Sequence, residues 1–351
     1  MKWSIRIIAI CVWAESLAAQ ENRFEAGTRL VLVPVAVTDA KGKLVDGLTA
    51  ADFVLLAGGR PQTVVVDTIA TGVPPVALIV AVQSSGISVA ALEKVRKTAS
   101  MLQPLVAGER GCVGLVAFHE RVRWLQDCTS DQNKLAAAFS QLRPGLPKKA
   151  RMLDAAREAI ARLETLPNAR RILLLISETR DRGSEADLNS VAIAAQAASV
   201  TIYTISYSAF AIAWTSNSSG TAAPRETKRD SRPGEQHGTV DDAVPTRIKP
   251  ALPNADSRVD LLSAIGELKR LHQANDAHIL AEFTGGATLP FLRQRGLEDA
   301  IQKLGLELHT QYMLSFTPEN ATPGFSPLQV TMRTPTLTVR ARGGYWLGPT
   351  Q

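Results

Sequence analysis

Apolar residues along this chain fall into two kinds of run, and the change between them divides it. The first stretch, Arg29-Leu-Val-Leu-Val-Pro-Val-Ala-Val-Thr38, is dense in β-branched residues and predicts a strand. Asp39-Ala-Lys-Gly42 is a turn signal, 48–53 reads as a short helical turn, and Val54-Leu-Leu56, Gly58-Gly59 and Thr63-Val-Val-Val66 continue the β pattern. After Pro74-Pro75 the grammar changes. Seven apolar residues, 76–82, form a buried-strand run, and 89–105 places Leu92, Val95, Ala99 and Leu102 at helical spacing. Two strands then flank a turn near His119-Glu120. Asp131 caps a helix over 132–142, and 151–166 carries Leu153, Ala156, Ala159, Ile160 and Leu163 on one face. Strand 171–176, helix 185–198 and strand 200–207 follow. Near-continuous apolar strands interleaved with helices predict an α/β, Rossmann-like, mostly parallel sheet with helices on both faces.

From 214 to 258 the chain is rich in Pro, Gly, Ser and charge, the composition of a disordered insertion. A helical pattern returns over 259–283 and ends at Gly285-Gly286. Helix 297–309, strand 312–316, a loop over 318–327 and strands 328–332 and 337–342 complete the pattern. The organisation expected is a β-rich segment (24–73), an α/β domain (75–317) and a C-terminal β segment (318–351) packing with the first to form a small lobe.

Composition adjusts this picture in three places. Apolar residues make up 45% of the 351, enough for a sizeable core. Aromatics are 5% and the basic residues are scattered, which argues against a nucleic-acid surface. The beginning, MKWSIRIIAICVWAESLAAQ, joins a basic start (Lys2, Arg6) to a short apolar core and small residues, so 1–19 reads as a secretory signal peptide. Its removal takes two positive charges and one negative, lowering the formal charge from +6 to +5. Ile10 before Cys11 argues against lipidation, and no other stretch is long and apolar enough to cross a bilayer. The exported compartment permits a disulfide between Cys112 and Cys128 across the 112–128 hairpin, with two separate half-buried thiols as the alternative.

Three segments outside the α/β pattern carry more specific information. "LVLVPVAVTDAKGKLVDGLTAADFVLL", "LHTQYMLSFTPEN" and "VRARGGYW" flank a strand, S-x-G loop, helix, hairpin, "LDAAREAI" helix and "ILLLISE" strand. Together these resemble the von Willebrand factor type A domain, and within it the acidobacterial VWFA-related exported proteins. The resemblance runs from about Arg29 to Trp346, the insertion excepted.

The resemblance implies an adhesion site for a divalent ion: D-x-S-x-S after the first strand, a Thr before the third helix, an Asp after the fourth strand. Such an ion wants hard oxygen ligands and carboxylate charge. Position by position, Gln83 stands for the first Asp and Ser85 for the first Ser; Ile87 replaces the second Ser, with Ser88 one residue on. Ala150 stands for the Thr and Glu178 for the second Asp. The expectation is therefore a degenerate site without cofactor, unless Asp181 or Ser88 swings in to restore Mg²⁺. Gln83, Ser85, Ser88, Glu178 and Arg180 are candidates for a polar top surface that meets a protein partner directly, Arg180 taking a partner's carboxylate.

Other chemistry finds little support. The five histidines form no H-E-x-x-H pair, and there is no G-x-S-x-G, no G-x-x-x-x-G-K-[ST] and no G-x-G-x-x-G. The function expected is an exported, non-enzymatic protein-interaction module with a degenerate, metal-free adhesion site. The alternatives are a Mg²⁺-dependent binding domain, or an exported hydrolase whose triad leaves no local motif.

Overall fold

The computed structural model describes residues 30–67, 74–85, 89–145, 149–178, 180–207, 275–290, 294–318 and 323–347. The expected signal peptide, the insertion over 214–258 and most of the helical pattern over 259–283 lie outside them.

Among the described residues a six-stranded sheet forms the centre. Its strands are β5 (Val76–Gln83), β6 (Cys112–Phe118), β7 (Val122–Thr129), β8 (Arg170–Ser177), β9 (Val200–Ser206) and β10 (Thr288–Pro290). They lie in the order β10-β9-β8-β5-β6-β7, all parallel except β7, which returns antiparallel beside β6 at the edge. Alternation along β5 shows why the strand is apolar from Val76 to Val82. Leu78, Val80 and Val82 enter a core shared with Leu92, Val95 and Leu102 of α1 (Val89–Lys97) and α2 (Ala99–Leu102), with Leu135 and Phe139 of α3 (Gln132–Ser140), and with Ile301 and Leu304 of α7 (Gln294–Thr310). Ala77, Ile79 and Ala81 enter the opposite core, closed by α4 (Met152–Glu164), α5 (Leu188–Ala197) and α6 (Asp276–Phe283). A strand covered on both faces has no position left for a polar side chain.

Several elements differ from the sequence reading. The helix expected over 89–105 breaks at Thr98, whose hydroxyl donates to the Val95 carbonyl at 2.9 Å, and ends in a π turn at Gln103–Ala107 that contains Pro104. Side-chain back-bonding and proline both disturb the helical ladder. β10 has no sequence signal of its own, being three residues long with a proline at its end. β12 (Gly324–Met332) starts inside the expected loop, because its first residues pair with β14 (Gly344–Leu347).

The remaining strands build two small antiparallel sheets: β13-β1-β11-β4 and β14-β12-β2-β3. Here β1 is Val31–Thr38, β2 Phe53–Ala57, β3 Arg60–Gln62, β4 Val65–Asp67, β11 Tyr312–Phe316 and β13 Thr338–Ala341. β11, placed by sequence in the α/β domain, pairs with β1 and β4 instead. Val33, Val35, Phe53, Leu55, Leu314, Phe316 and Tyr345 share one core between the sheets. Cys112 and Cys128 are joined in a disulfide with Cα atoms 5.2 Å apart, tying the start of β6 to the end of β7.

Candidate functional site

The sheet order marks where a site belongs. β5 and β8 are neighbours, yet the chain leaves β5 for α1 on one face and β8 for α5 on the other. Such a switch point opens a crevice at the carboxyl ends of the two strands. Gln83 ends β5; Ser177 ends β8 and Glu178 follows it.

Gln83 is 1% exposed and Ser85 0%, so both lie below the surface. The Gln83 amide spans the crevice. Its Nε2 donates to Ser85 Oγ at 2.8 Å and to Glu178 Oε2 at 3.3 Å, while its Oε1 accepts from the Glu178 backbone N–H at 2.9 Å. The same Glu178 oxygen is 3.2 Å from an Arg182 guanidinium nitrogen. Ser84 anchors the loop to β6, its backbone N–H donating to the Phe118 carbonyl at 2.8 Å.

Ala150 joins this assembly through its backbone. It forms an isolated antiparallel bridge with Arg182, with mutual N–H···O bonds of 3.1 and 3.0 Å. Its methyl group is fully buried. Nearby, α4 begins at Arg151, which offers no side-chain cap. The cap comes from the loop after β8. Asp181 Oδ1 accepts from the Leu153 N–H at 3.1 Å, and Ser184 Oγ from the Asp154 N–H at 3.1 Å. These bonds satisfy two of the donors that a helix leaves open at its start. Asp154, itself buried, reaches back to accept from the Glu185 and Ala186 N–H groups and lies 3.5 Å from both Arg151 and Arg157.

The structure thus brings Gln83, Ser85, Ala150 and Glu178 together, with Arg180 exposed on the adjoining loop. Ile87 and Ser88 lie outside the described residues. Because Gln83, Ser85 and Ala150 are buried, the solvent-exposed part of this region is narrower than the sequence reading drew it. It comprises Arg180 and Arg182, both exposed, around a half-buried Glu178. Sequence reasoning missed Arg182 and Ser184; both sit in an irregular loop where no periodicity marks them.

The donor set can be tested against a divalent ion. Magnesium demands near-octahedral oxygen and gives up its water reluctantly. Among the described residues, Gln83 spends its amide oxygen on a backbone N–H, Ala150 offers no side-chain donor, Glu178 is ion-paired to Arg182, and Asp181 is committed to α4. No group of three His, Cys, Asp or Glu side chains among them is placed to hold a metal. As placed, Gln83, Glu178 and Asp181 are engaged with protein partners.

No family model matches the sequence, and no curated protein matches it. Solved structures do show similarity. BatB from Bacteroides thetaiotaomicron is 15% identical with a TM-score of 0.41, covering 66% of this chain and 98% of its own. An aerotolerance-related membrane protein from Bacteroides fragilis gives 15% and 0.40 over the same shares. A von Willebrand factor type A protein from Catenulispora acidiphila gives 10% and 0.43, over 92% of this chain and 74% of its own. The strand order, more than these distant likenesses, defines the fold. With its parallel strands, its single antiparallel edge strand and its switch point between β5 and β8, the central domain is an α/β, Rossmann-like fold with helices on both faces of the sheet.

Proposed function

We propose that this chain is an exported, non-enzymatic protein-interaction module whose adhesion-type site works without metal. The observation that carries the proposal is the Gln83 amide, which joins Ser85 to Glu178 and fills with hydrogen bonds the place where an ion would gather oxygens. A neutral amide also removes the negative charge that would offset an ion's dehydration. The Ser85 hydroxyl is fully buried, which places it out of reach of an ester or peptide and speaks against a nucleophilic role. What remains open is the rim at Arg180 and Arg182, suited to an acidic segment of an extracytoplasmic protein partner. Among the described residues no helix is long and apolar enough to cross a membrane.

Calorimetric titration with Mg²⁺ and Mn²⁺ tests the metal-free reading. The unaltered chain is expected to show no saturable heat, and Gln83→Asp to gain measurable affinity only if Glu178 is released from Arg182. Binding at micromolar concentration by the unaltered chain would overturn the proposal.

A further inference from the structure

Away from the switch point, α1, α2 and α3 leave an open groove of about 480 Å³. It is lined by Arg96, Lys97, Ala99, Ser100, Ala136, Ser140 and Arg143. Three of these are cations, two carry hydroxyls, and none is acidic.

The state of the cations makes this more than a solvated basic face. Among the described residues none of the three takes part in an ion pair. Arg96 Nε is buried and has no hydrogen-bond acceptor, an exception to the near-universal pairing of buried donors. Arg143 is fixed in place by the end of α3, one nitrogen donating to the carbonyls of Ser140 and Leu142. A guanidinium has five N–H donors, so the rest of that fork is left for another acceptor.

From this arrangement we infer that the groove binds a phosphoryl group. A carboxylate presents two coplanar oxygens and is met by a single guanidinium fork. A phosphoryl group presents three oxygens in different directions and carries nearly two charges, which suits two arginines, a lysine and the Ser100 hydroxyl, while Ser140 gives its proton to the Ala137 carbonyl at 2.7 Å. The phosphoryl group comes from a soluble phosphate or from a lipid headgroup; the groove chemistry is the same for both.

Titration of the full mature chain with inorganic phosphate, followed by calorimetry and with acetate as the planar comparison, tests this. Phosphate is expected to bind saturably and acetate not to compete at equal concentration. Arg96→Gln with Arg143→Gln is expected to weaken phosphate binding at least tenfold. Because Arg143 also closes α3, Lys97→Gln with Ser100→Ala serves as a second variant whose residues are exposed; a loss of about threefold or more is expected, with an unchanged melting profile. Flotation with phosphatidylcholine vesicles, with and without phosphatidic acid, separates the sources. Capture only by phosphatidic-acid vesicles, sensitive to both variants, assigns the headgroup; binding of inorganic phosphate without capture assigns the soluble form. If neither phosphate nor phosphatidic acid binds the unaltered chain, or if binding is unchanged in both variants, the inference fails.

Discussion

At the scale of single residues, carboxylates here serve the backbone. Asp154 and Asp181 hold the start of α4 against the loop after β8. Asp187 does the same for α5, its side chain accepting from the Ser190 N–H at 3.0 Å. That bond holds the Asp187 carboxyl below the usual carboxylate range. The contribution of a depressed carboxylate is complete above the unfolded value, roughly pH 4, and is lost as the pH falls through the lowered folded value. Asp187→Ala is therefore expected to cost about 1 kcal/mol at neutral pH. The gap from the parent should narrow in acid. Urea denaturation at about pH 7 and about pH 3 measures it, and a gap that does not shrink on acidification would show that the cap contributes nothing through its charge. Residue roles were the least legible part of the sequence. Gln83, Ser85, Ala150 and Glu178 could be lined up from their positions after predicted strands and before a predicted helix. That the Gln83 amide faces both Ser85 and Glu178 depends on a crevice that only the folded sheet creates.

Elements were far more legible, because their signal is periodic. The runs at the centre of β5 and β8 are apolar on both faces, and α4 keeps its apolar stripe, so burial dictated them. What escaped was set by contacts distant in sequence. β10 exists because Thr288–Pro290 runs alongside β9, and the chain reaches it through Gly285-Gly286. Gly286 is needed there for closeness: a Cβ on it would sit 1.9 Å from the Ile202 carbonyl oxygen. Gly343 offers the contrast, since a Cβ there meets nothing within 4 Å. Gly286→Ala is expected to destabilise by about 2–3 kcal/mol through overpacking. Gly343→Ala should stay within about 0.5 kcal/mol of the parent. Chemical denaturation of the two variants side by side checks this; equal losses would mean that crowding at β9 is not what selects glycine.

Across the whole molecule, the lobe and the α/β domain meet through arginines of the C-terminal "RARGG" segment. Arg340 pairs with Glu307 of α7 and donates to the Gly285 carbonyl at 2.6 Å. Arg342 is 6% exposed and, among the described residues, its guanidinium bonds to Gln196 of α5, through the side-chain oxygen and the backbone carbonyl. Among the described residues no carboxylate pairs with it, and burial lowers its guanidinium to about 10. A buried charge held by neutral acceptors is a costly joint. Arg342→Met, which keeps the stem and drops the charge, is expected to remain within about 1 kcal/mol of the parent, relief of desolvation offsetting the unpaired Gln196 oxygen. Arg342→Ala should lose about 3 kcal/mol, chiefly by leaving a cavity. Thermal and urea denaturation distinguish the two; a Met variant as damaged as the Ala variant would show that the charge itself holds the joint. The segment stood out in the sequence as a motif, but its purpose did not, since Gln196 and Glu307 lie far from it along the chain.

The placement of β1 has a consequence for how the protein is made. Its two neighbours, β11 and β13, come from the far end of the chain. A ribosome that has delivered Val31–Thr38 must add more than two hundred further residues before either partner exists. Until then its backbone N–H and C=O groups lack these strand partners, the kind of edge that can join a neighbouring chain. Under the proposed export, passage across a membrane in an unfolded state, before the far end arrives, would turn that delay from a hazard into an advantage.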